Sequence, residues 1–242
     1  MANLKSLYDI TSQQPKEVFE EAKTRYVKMT FYSTYVLLLT TGTITFIEAL
    51  RSNIPEVRHI MNLETCISII AAYFYSVFAQ QLKDAEDKNV PLDFKQINIL
   101  RYNDWMITTP LMILTLSLVL SLNSGVKLKL TAFILFIILD LGMIGLGYLG
   151  EMGIIDKNIA LITSFICFFL LFGAIGLTFL TAKYSLANIV VFSAFFIIWA
   201  IYGIVYNLDE RIKNVVYNVL DGIAKALIGI FLWAYFTKII VL

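Results

Sequence analysis

The sequence has few charged residues. Only 15% of its 242 residues are Asp, Glu, Lys or Arg, and 59% are hydrophobic, whereas a soluble globular domain has about 25% charged and about 45–50% apolar residues. The 19 basic and 18 acidic side chains nearly cancel, so the chain has no field of one sign with which to bind a nucleic acid. This composition is typical of a protein whose partner is the lipid bilayer.

Cysteine and proline are also scarce. The two cysteines, Cys66 and Cys167, lie in apolar runs, where a thiol behaves as a small hydrophobic group. No cluster of His or Cys accompanies them, so the sequence predicts no metal site. The four prolines are too few for the broken helices found in many transporters.

Long apolar runs are what the sequence does contain. A membrane-spanning helix needs about 20 mainly apolar residues, and seven stretches reach or approach this length: 27–50, 65–83, 97–121, 129–152, 158–180, 185–208 and 214–238. The sequence therefore predicts an all-α membrane protein, with a seven-helix transmembrane domain over residues 27–242. Residues 1–26 are predicted to be a polar N-terminal tail, with a short amphipathic helix starting near Pro15.

Five ionisable residues lie inside the apolar runs: Arg101 and Asp104 in the third, Asp140 in the fourth, and Asp221 and Lys225 in the seventh. A charge near the bilayer midplane costs at least about 2.5–3.5 kcal/mol, so such residues indicate a function. Asp221 and Lys225 are four residues apart and share a helix face. If the third and seventh helices face each other, two acids and two bases form a nearly neutral buried group.

Several interpretations of Lys225 fit these residues. It could form only an intrahelical ion pair with Asp221, or it could belong to a proton relay in a transporter. A third interpretation follows from burial, because a buried amine tends to lose its charge and becomes a nucleophile that condenses with an aldehyde. An apolar, aromatic pocket with carboxylates as counter-ions therefore suits a Schiff base on Lys225.

Four motifs resemble those of the microbial (type 1) rhodopsins, seven-helix proteins that bind retinal. Residues 101–111, RYNDWMITTPL, resemble the third-helix pattern R-Y-x-D-W-x-x-T-T-P-L, and residues 221–225 resemble the D-x-x-x-K of the seventh helix. Residues 199–202 resemble the W-x-x-Y of the sixth helix, and residues 140–147 the fourth-helix segment beside the retinal ring. Two further stretches, 147–151 and 232–236, resemble rhodopsins of giant viruses and marine protists.

The resemblance implies a role for each matching residue. Lys225 would carry all-trans retinal as a protonated Schiff base, with Asp104 as first counter-ion and proton acceptor and Asp221 as second counter-ion. Arg101 would gate the outer side, and Thr108 would hydrogen-bond Asp104. The residues expected around retinal are Trp105, Thr109, Met143, Trp199 and Tyr202, together with Tyr73 near the counter-ions.

The chain departs from the family pattern at three places. Thr115 stands where a typical proton pump of the family has a carboxylate that donates a proton, and a threonine cannot donate one at neutral pH. Glu48 and Glu64 are the alternative proton donors. Gly203 replaces the sixth-helix proline. The fifth helix has no tryptophan, so the ring end of the pocket would be shaped by Phe165, Phe168 or Phe169.

Asp140 is expected to be a protonated, hydrogen-bonded buried acid.

The function predicted from these residues is not enzymatic. It is a light-driven outward proton pump with slow reprotonation of the Schiff base, in which Asp209 or Glu210 belongs to an outer release group. The alternatives are a light-gated cation channel and a sensory photoreceptor that signals through a partner protein. Chloride pumping is disfavoured, because Asp104 places a negative charge where the anion would bind.

The orientation in the membrane is ambiguous from loop charges alone, because both sides carry Lys and Arg. The family implies an extracellular N-terminus. It also implies a homo-oligomer, either a trimer or a pentamer, that transports protons or small cations across the bilayer.

Overall fold

The computed structural model describes residues 2–181 and 184–241, with side chains from Arg25 onwards. Within these ranges the chain is helical and has no strand. The α-helices are α1 (Ala2–Arg51), α2 (Pro55–Asp87), α3 (Phe94–Ser124), α4 (Leu130–Glu151), α5 (Lys157–Phe179), α6 (Leu186–Val205), α7 (Glu210–Asp221) and α8 (Ile228–Phe236). A π-helical segment, Gly222–Leu227, joins α7 to α8, so that Glu210–Phe236 is one span.

Seven helical spans in the described part of the chain are long and apolar enough to cross a membrane. They coincide with the seven predicted runs and confirm the all-α class. Each span packs on the next, and the last packs on α1, so the helices form a closed bundle. Because the loops are short, neighbouring spans are antiparallel. We call the end with Arg25, Phe94 and Glu210 the first end, and the end with Arg51, Ser124 and Phe236 the second end.

Two helix starts differ from the prediction by ten residues or more. Helix α1 begins at Ala2 and runs continuously through Pro15, where the sequence suggested a start. Helix α2 begins at Pro55 rather than at residue 65, because proline fits the first turn of a helix. Its first turns are amphipathic, with Val57, Ile60, Met61 and Glu64 buried, and their polar side lowers the mean hydropathy on which the prediction rested. The division of the chain into a tail and a membrane domain stays a prediction.

Apolar side chains occupy both the inside and the outside of the bundle. Phe172, Ile175 and Leu232 are buried in the largest core cluster. Leu177 of α5 and Ile138 of α4 are largely exposed. An apolar outer surface is unfavourable in water but favourable against lipid chains, so the packing agrees with a membrane location.

A glycine sets the close approach of α4, α5 and the end of α6. A Cβ atom at Gly150 would lie 2.3 Å from Ala160 Cβ and 2.5 Å from Tyr206 Oη. Tyr206 Oη also donates a hydrogen bond of 2.9 Å to the carbonyl oxygen of Gly147. No side chain larger than hydrogen fits at Gly150 without moving these neighbours.

Replacing this glycine tests the packing. We expect Gly150→Ala to lower the free energy of unfolding by about 1–3 kcal/mol, because the methyl group overpacks the contact. Gly145→Ala in the same helix is the matched control, since nothing lies within 4 Å of its Cβ position; it should be neutral or stabilising by up to about 1 kcal/mol. Thermal unfolding in detergent micelles, followed by circular dichroism, measures both. Equal stability of the two variants would contradict the packing described.

Candidate functional site

Four charged side chains meet in the middle of the bundle, between α3 and the last span. Lys225 Nζ donates a 2.5 Å hydrogen bond to Asp104 Oδ2 and lies 3.5 Å from Asp221 Oδ1. Arg101 Nη1 lies 3.0 Å from Asp221 Oδ2. All four side chains are buried. Two acids and two bases in this arrangement offset one another, which makes their burial tolerable. The third helix and the last span thus face each other, which is the condition for a nearly neutral buried group.

The lysine lies in the π-helical segment of the last span, Gly222–Leu227. A π turn contains one residue more than an α turn and often occurs at functional sites. Beside Lys225, the carbonyl oxygen of Ala226 accepts a 3.2 Å hydrogen bond from Thr41 Oγ1 of α1. The hydroxyl of Thr41 thus supports the backbone next to the lysine.

The two carboxylates have different surroundings. Asp221 accepts hydrogen bonds from Tyr75 Oη (2.8 Å), Tyr202 Oη (2.8 Å) and Trp105 Nε1 (3.2 Å), in addition to its ion pair with Arg101. Asp104 Oδ2 accepts from Lys225, and its Oδ1 has no hydrogen-bond partner among the described residues. Hydrogen bonds to a carboxylate favour its charged form. Asp104 is therefore the acid better placed to take a proton from Lys225.

The tyrosine near the counter-ions is Tyr75, and the prediction of Tyr73 was wrong. Tyr73 is 64% exposed and packs edge-on against Phe74, whereas Tyr75 is fully buried and bonded to Asp221. Two residues along a helix correspond to a rotation of about 200°, so the two tyrosines lie on opposite faces.

Thr108 does not bond the carboxylate of Asp104 as predicted. Its hydroxyl donates at 2.8 Å to the main-chain carbonyl oxygen of Asp104. A threonine inside a helix commonly bonds the carbonyl four residues earlier, and this local bond competes with one to a side chain.

Asp140 and Thr109 form a separate buried pair. Thr109 Oγ1 lies 2.8 Å from the carbonyl oxygen of Trp105 and 2.8 Å from Asp140 Oδ2. The single hydroxyl hydrogen of Thr109 can serve only one of these oxygens. A proton on Asp140 would supply the second hydrogen bond, which agrees with the expected protonated acid.

A cavity extends from Lys225 between α3, α4, α5 and α6. Five of the six residues expected around retinal line it, namely Trp105, Thr109, Met143, Trp199 and Tyr202, whereas Tyr73 does not. Further lining residues were not predicted. Four of them lie within the matched motif stretches but were given no role there, namely Tyr102, Ile144, Gly147 and Ala224, and three lie outside every motif, namely Leu161, Ser164 and Tyr206. Apolar and aromatic walls with a few polar groups are typical of a cofactor site.

Phenylalanines close the end of the cavity farthest from α7. Phe165 and Phe168 line it, whereas Phe169 is 58% exposed and does not, so that alternative was wrong. A Cβ atom at Gly203 would lie 2.5 Å from Phe165 Cζ. The glycine that replaces the sixth-helix proline therefore leaves the space that the ring of Phe165 occupies.

Acidic residues lie at both ends of the bundle. At the first end, Glu210 and Glu151 surround the buried Lys213, whereas Asp209 caps α7 by accepting a hydrogen bond from the backbone N–H of Arg211. Towards the second end, Glu64 is 2% exposed and has Thr115 as its neighbour on α3. Glu48 is only partly buried. Glu64 is thus the buried acid on the second-end side of Lys225.

Known proteins resemble the chain over most of its length. A family model described as bacteriorhodopsin-like protein matches residues 27–239. The crystal structure of viral rhodopsin OLPVRII is similar with a TM-score of 0.82 and 41% identity, covering 89% of this chain and 99% of that one. A search of curated proteins finds no match.

More distant structures share the fold. The blue light-absorbing proteorhodopsin from Med12 has a TM-score of 0.69 and 24% identity, covering 88% of this chain and 97% of its own. The proton pumping rhodopsin AR2 from the marine alga Acetabularia acetabulum has a TM-score of 0.72 and 19% identity, covering 88% and 96%. Since the family model matches nearly the whole helical bundle, including its buried lysine and both carboxylates, the chain belongs to the bacteriorhodopsin-like family of microbial rhodopsins.

Proposed function

We propose that the protein is a light-driven proton pump that holds all-trans retinal on Lys225 and exports protons at the first end of the bundle. One observation carries the proposal: the Lys225 nitrogen lies 2.5 Å from Asp104 Oδ2, at the side of a long apolar cavity. Proteins of this family generally bind retinal through a lysine, and the fold is also that of a proton pumping rhodopsin from an alga.

The residues present fit the cofactor. Lys225 lines the cavity on the α7 side, Trp105 and Trp199 are wall residues, and Phe165 closes the far end. These aromatic residues would hold an apolar polyene chain and exclude water from the lysine. When bound, retinal supplies the absorption of light and the change of shape that alters the geometry at the Lys225 nitrogen.

The first proton transfer follows from the difference between the carboxylates. Three neutral donors and Arg101 hold Asp221 as an anion, so it stays charged throughout. Asp104 Oδ2 already accepts the Lys225 hydrogen bond and receives the proton. Proton transfer along an existing hydrogen bond needs no movement of either helix.

Glu64 supplies the proton that Lys225 needs next. A Cβ atom at Gly229 would lie 2.9 Å from Glu64 Oε2, so the carboxyl group touches the last span where that span has no side chain. Gly229 follows Lys225 by four residues, which is about 6 Å along a helix. The acid therefore lies about one turn from the lysine, and it takes the role that Thr115 cannot.

The orientation and assembly belong to the same proposal. The first end faces the outside, which places the N-terminus there. The chain is a multi-pass integral membrane protein, and the expected trimer or pentamer stays a prediction.

Asp104→Asn tests the acceptor. We expect the variant to bind retinal but to lose light-driven proton transport, because an amide cannot take the proton from Lys225. Light-induced pH changes of vesicles, with and without a protonophore, measure the transport. Asp84→Asn, an exposed acid at the first end, is the control and should transport normally. Transport by Asp104→Asn would contradict the proposed role, and wild-type photocurrents that reverse sign with voltage would show a channel instead.

Glu64→Gln tests the donor. The proton should return to Lys225 about 100-fold more slowly, because general acid catalysis is typically worth about 10²–10⁴-fold. Flash absorption spectroscopy follows the decay of the deprotonated pigment. Azide, a small weak acid that carries protons, should restore the rate, and Glu48→Gln should leave it unchanged. A Glu64→Gln decay equal to that of the wild type would exclude Glu64 as the donor.

A further inference from the structure

A second buried lysine, Lys213, lies at the first end of the bundle, and the proton transfers above give it no role. Its side chain is fully buried, and its Nζ donates to Glu151 Oε1 at 2.7 Å and to Glu210 Oε1 at 2.8 Å. An ammonium group this deeply buried is stable only when carboxylates surround it. Lys213 thus binds the end of α4 to the start of α7.

The two glutamates of this group only accept hydrogen bonds. Asn98 Nδ2 donates to Glu151 Oε1 at 2.5 Å and to Glu210 Oε2 at 2.8 Å, and Glu151 Oε2 lies 3.8 Å from Lys157 Nζ. A protonated carboxyl group would have to donate its own O–H. The described polar neighbours of these oxygens are all donors, so the geometry favours two anions without a proton to release.

The amide of Asn214 connects this group to Arg101. Asn214 Nδ2 donates to Asn98 Oδ1 at 3.2 Å, and Asn214 Oδ1 accepts from Arg101 Nη2 at 3.1 Å. Asn218 Oδ1 accepts from the same nitrogen at 2.7 Å. Neutral amides therefore separate Arg101 from the two glutamates, each of which already forms an ion pair with Lys213. When Asp104 becomes neutral, Arg101 is therefore not attracted outwards by an unpaired anion at the first end.

We propose that Lys213 is a positioning residue that makes proton release the last step of the cycle. The group of Asn98, Glu151, Glu210 and Lys213 holds no stored proton and offers Arg101 no unpaired anion. Asp104 therefore keeps its proton until Lys225 carries one again. This inference rests on the proposed function and concerns the order of its steps.

The protons balance over one cycle. One proton passes from Lys225 Nζ to Asp104 Oδ2, and another passes from Glu64 to Lys225 Nζ. Water at the second end then reprotonates Glu64, and Asp104 releases its proton to water at the first end. Each cycle takes up one proton and releases one, with uptake first.

Lys213→Gln is the decisive variant. Without the ammonium, two carboxylates share the Asn98 amide, and repulsion between charges this close leads one of them to bind a proton in the dark. Lys157→Gln is the matched control, because Lys157 pairs with the same Glu151 but is 38% exposed, and exposed pairs contribute little. The measurement is a single flash on purified, retinal-loaded protein in detergent, with a pH-indicator dye in weakly buffered solution.

The expected result is a change in sign of the first dye signal. The wild type and Lys157→Gln should take up a proton first, whereas Lys213→Gln should release one first, as Lys225 loses its proton. Release first in the wild type overturns the inference, as does uptake first in a coloured Lys213→Gln variant. If Lys213→Gln does not fold, the order of proton uptake and release in the wild type tests the inference alone.

Vesicle transport separates this inference from the proposed function. Uptake before release in detergent, without net transport in vesicles, would overturn the pump and leave the role of Lys213 intact. Net transport with release first would overturn only the role of Lys213. Absence of any dye signal from the wild type would contradict both.

Discussion

The ion pair between Lys225 and Asp104 is the constraint on which the rest of the site depends. Removing one partner of a buried pair typically costs about 3–5 kcal/mol, because the other charge is left uncompensated. The surrounding bundle provides a second carboxylate, a guanidinium group and neutral donors that leave Asp221 charged and Asp104 free to change. In the proposed cycle, a proton that leaves the lysine therefore has one acceptor, and the direction of transfer follows from hydrogen bonding.

The two ends of the bundle are built differently, and this asymmetry gives the proposed transport its direction. At the first end, amides, carboxylates and Lys213 form a continuous hydrogen-bonded network that reaches Arg101. Towards the second end, Glu64 is a buried acid next to Thr115 and a glycine of the last span. In the proposed cycle, the network at the first end keeps its charges fixed, and Glu64 towards the second end delivers a single proton.

Much of the fold and the centre of the site could be predicted from the sequence. Apolar runs give the number of spans, because the bilayer fixes their length, and the cost of buried charge singles out Arg101, Asp104, Asp221 and Lys225. Tyr75 was missed although the buried positions of α2 (Ile67, Ala71, Tyr75, Phe78 and Leu82) follow a helical period that includes it and excludes Tyr73.

Other features of the structure cannot be recognised from the sequence. The π-helical segment shifts the helical period by one residue over a single turn, which is too short to detect in a sequence. Lys213 looks like a loop charge, and its burial depends on Glu151, which lies 62 residues away in the chain. The hydroxyl of Thr108 could donate to a side chain or to a main-chain carbonyl of its own helix, and only the three-dimensional structure distinguishes the two.

The proposed mechanism requires retinal to be attached to Lys225 rather than to another amine. Reduction of the retinal-loaded protein with borohydride, followed by proteolysis and mass spectrometry, locates the attachment directly. We predict a retinyl group on the peptide that contains Lys225. A label on the peptide with Lys213, the other fully buried lysine among the described residues, or a coloured Lys225→Ala variant, would contradict this mechanism.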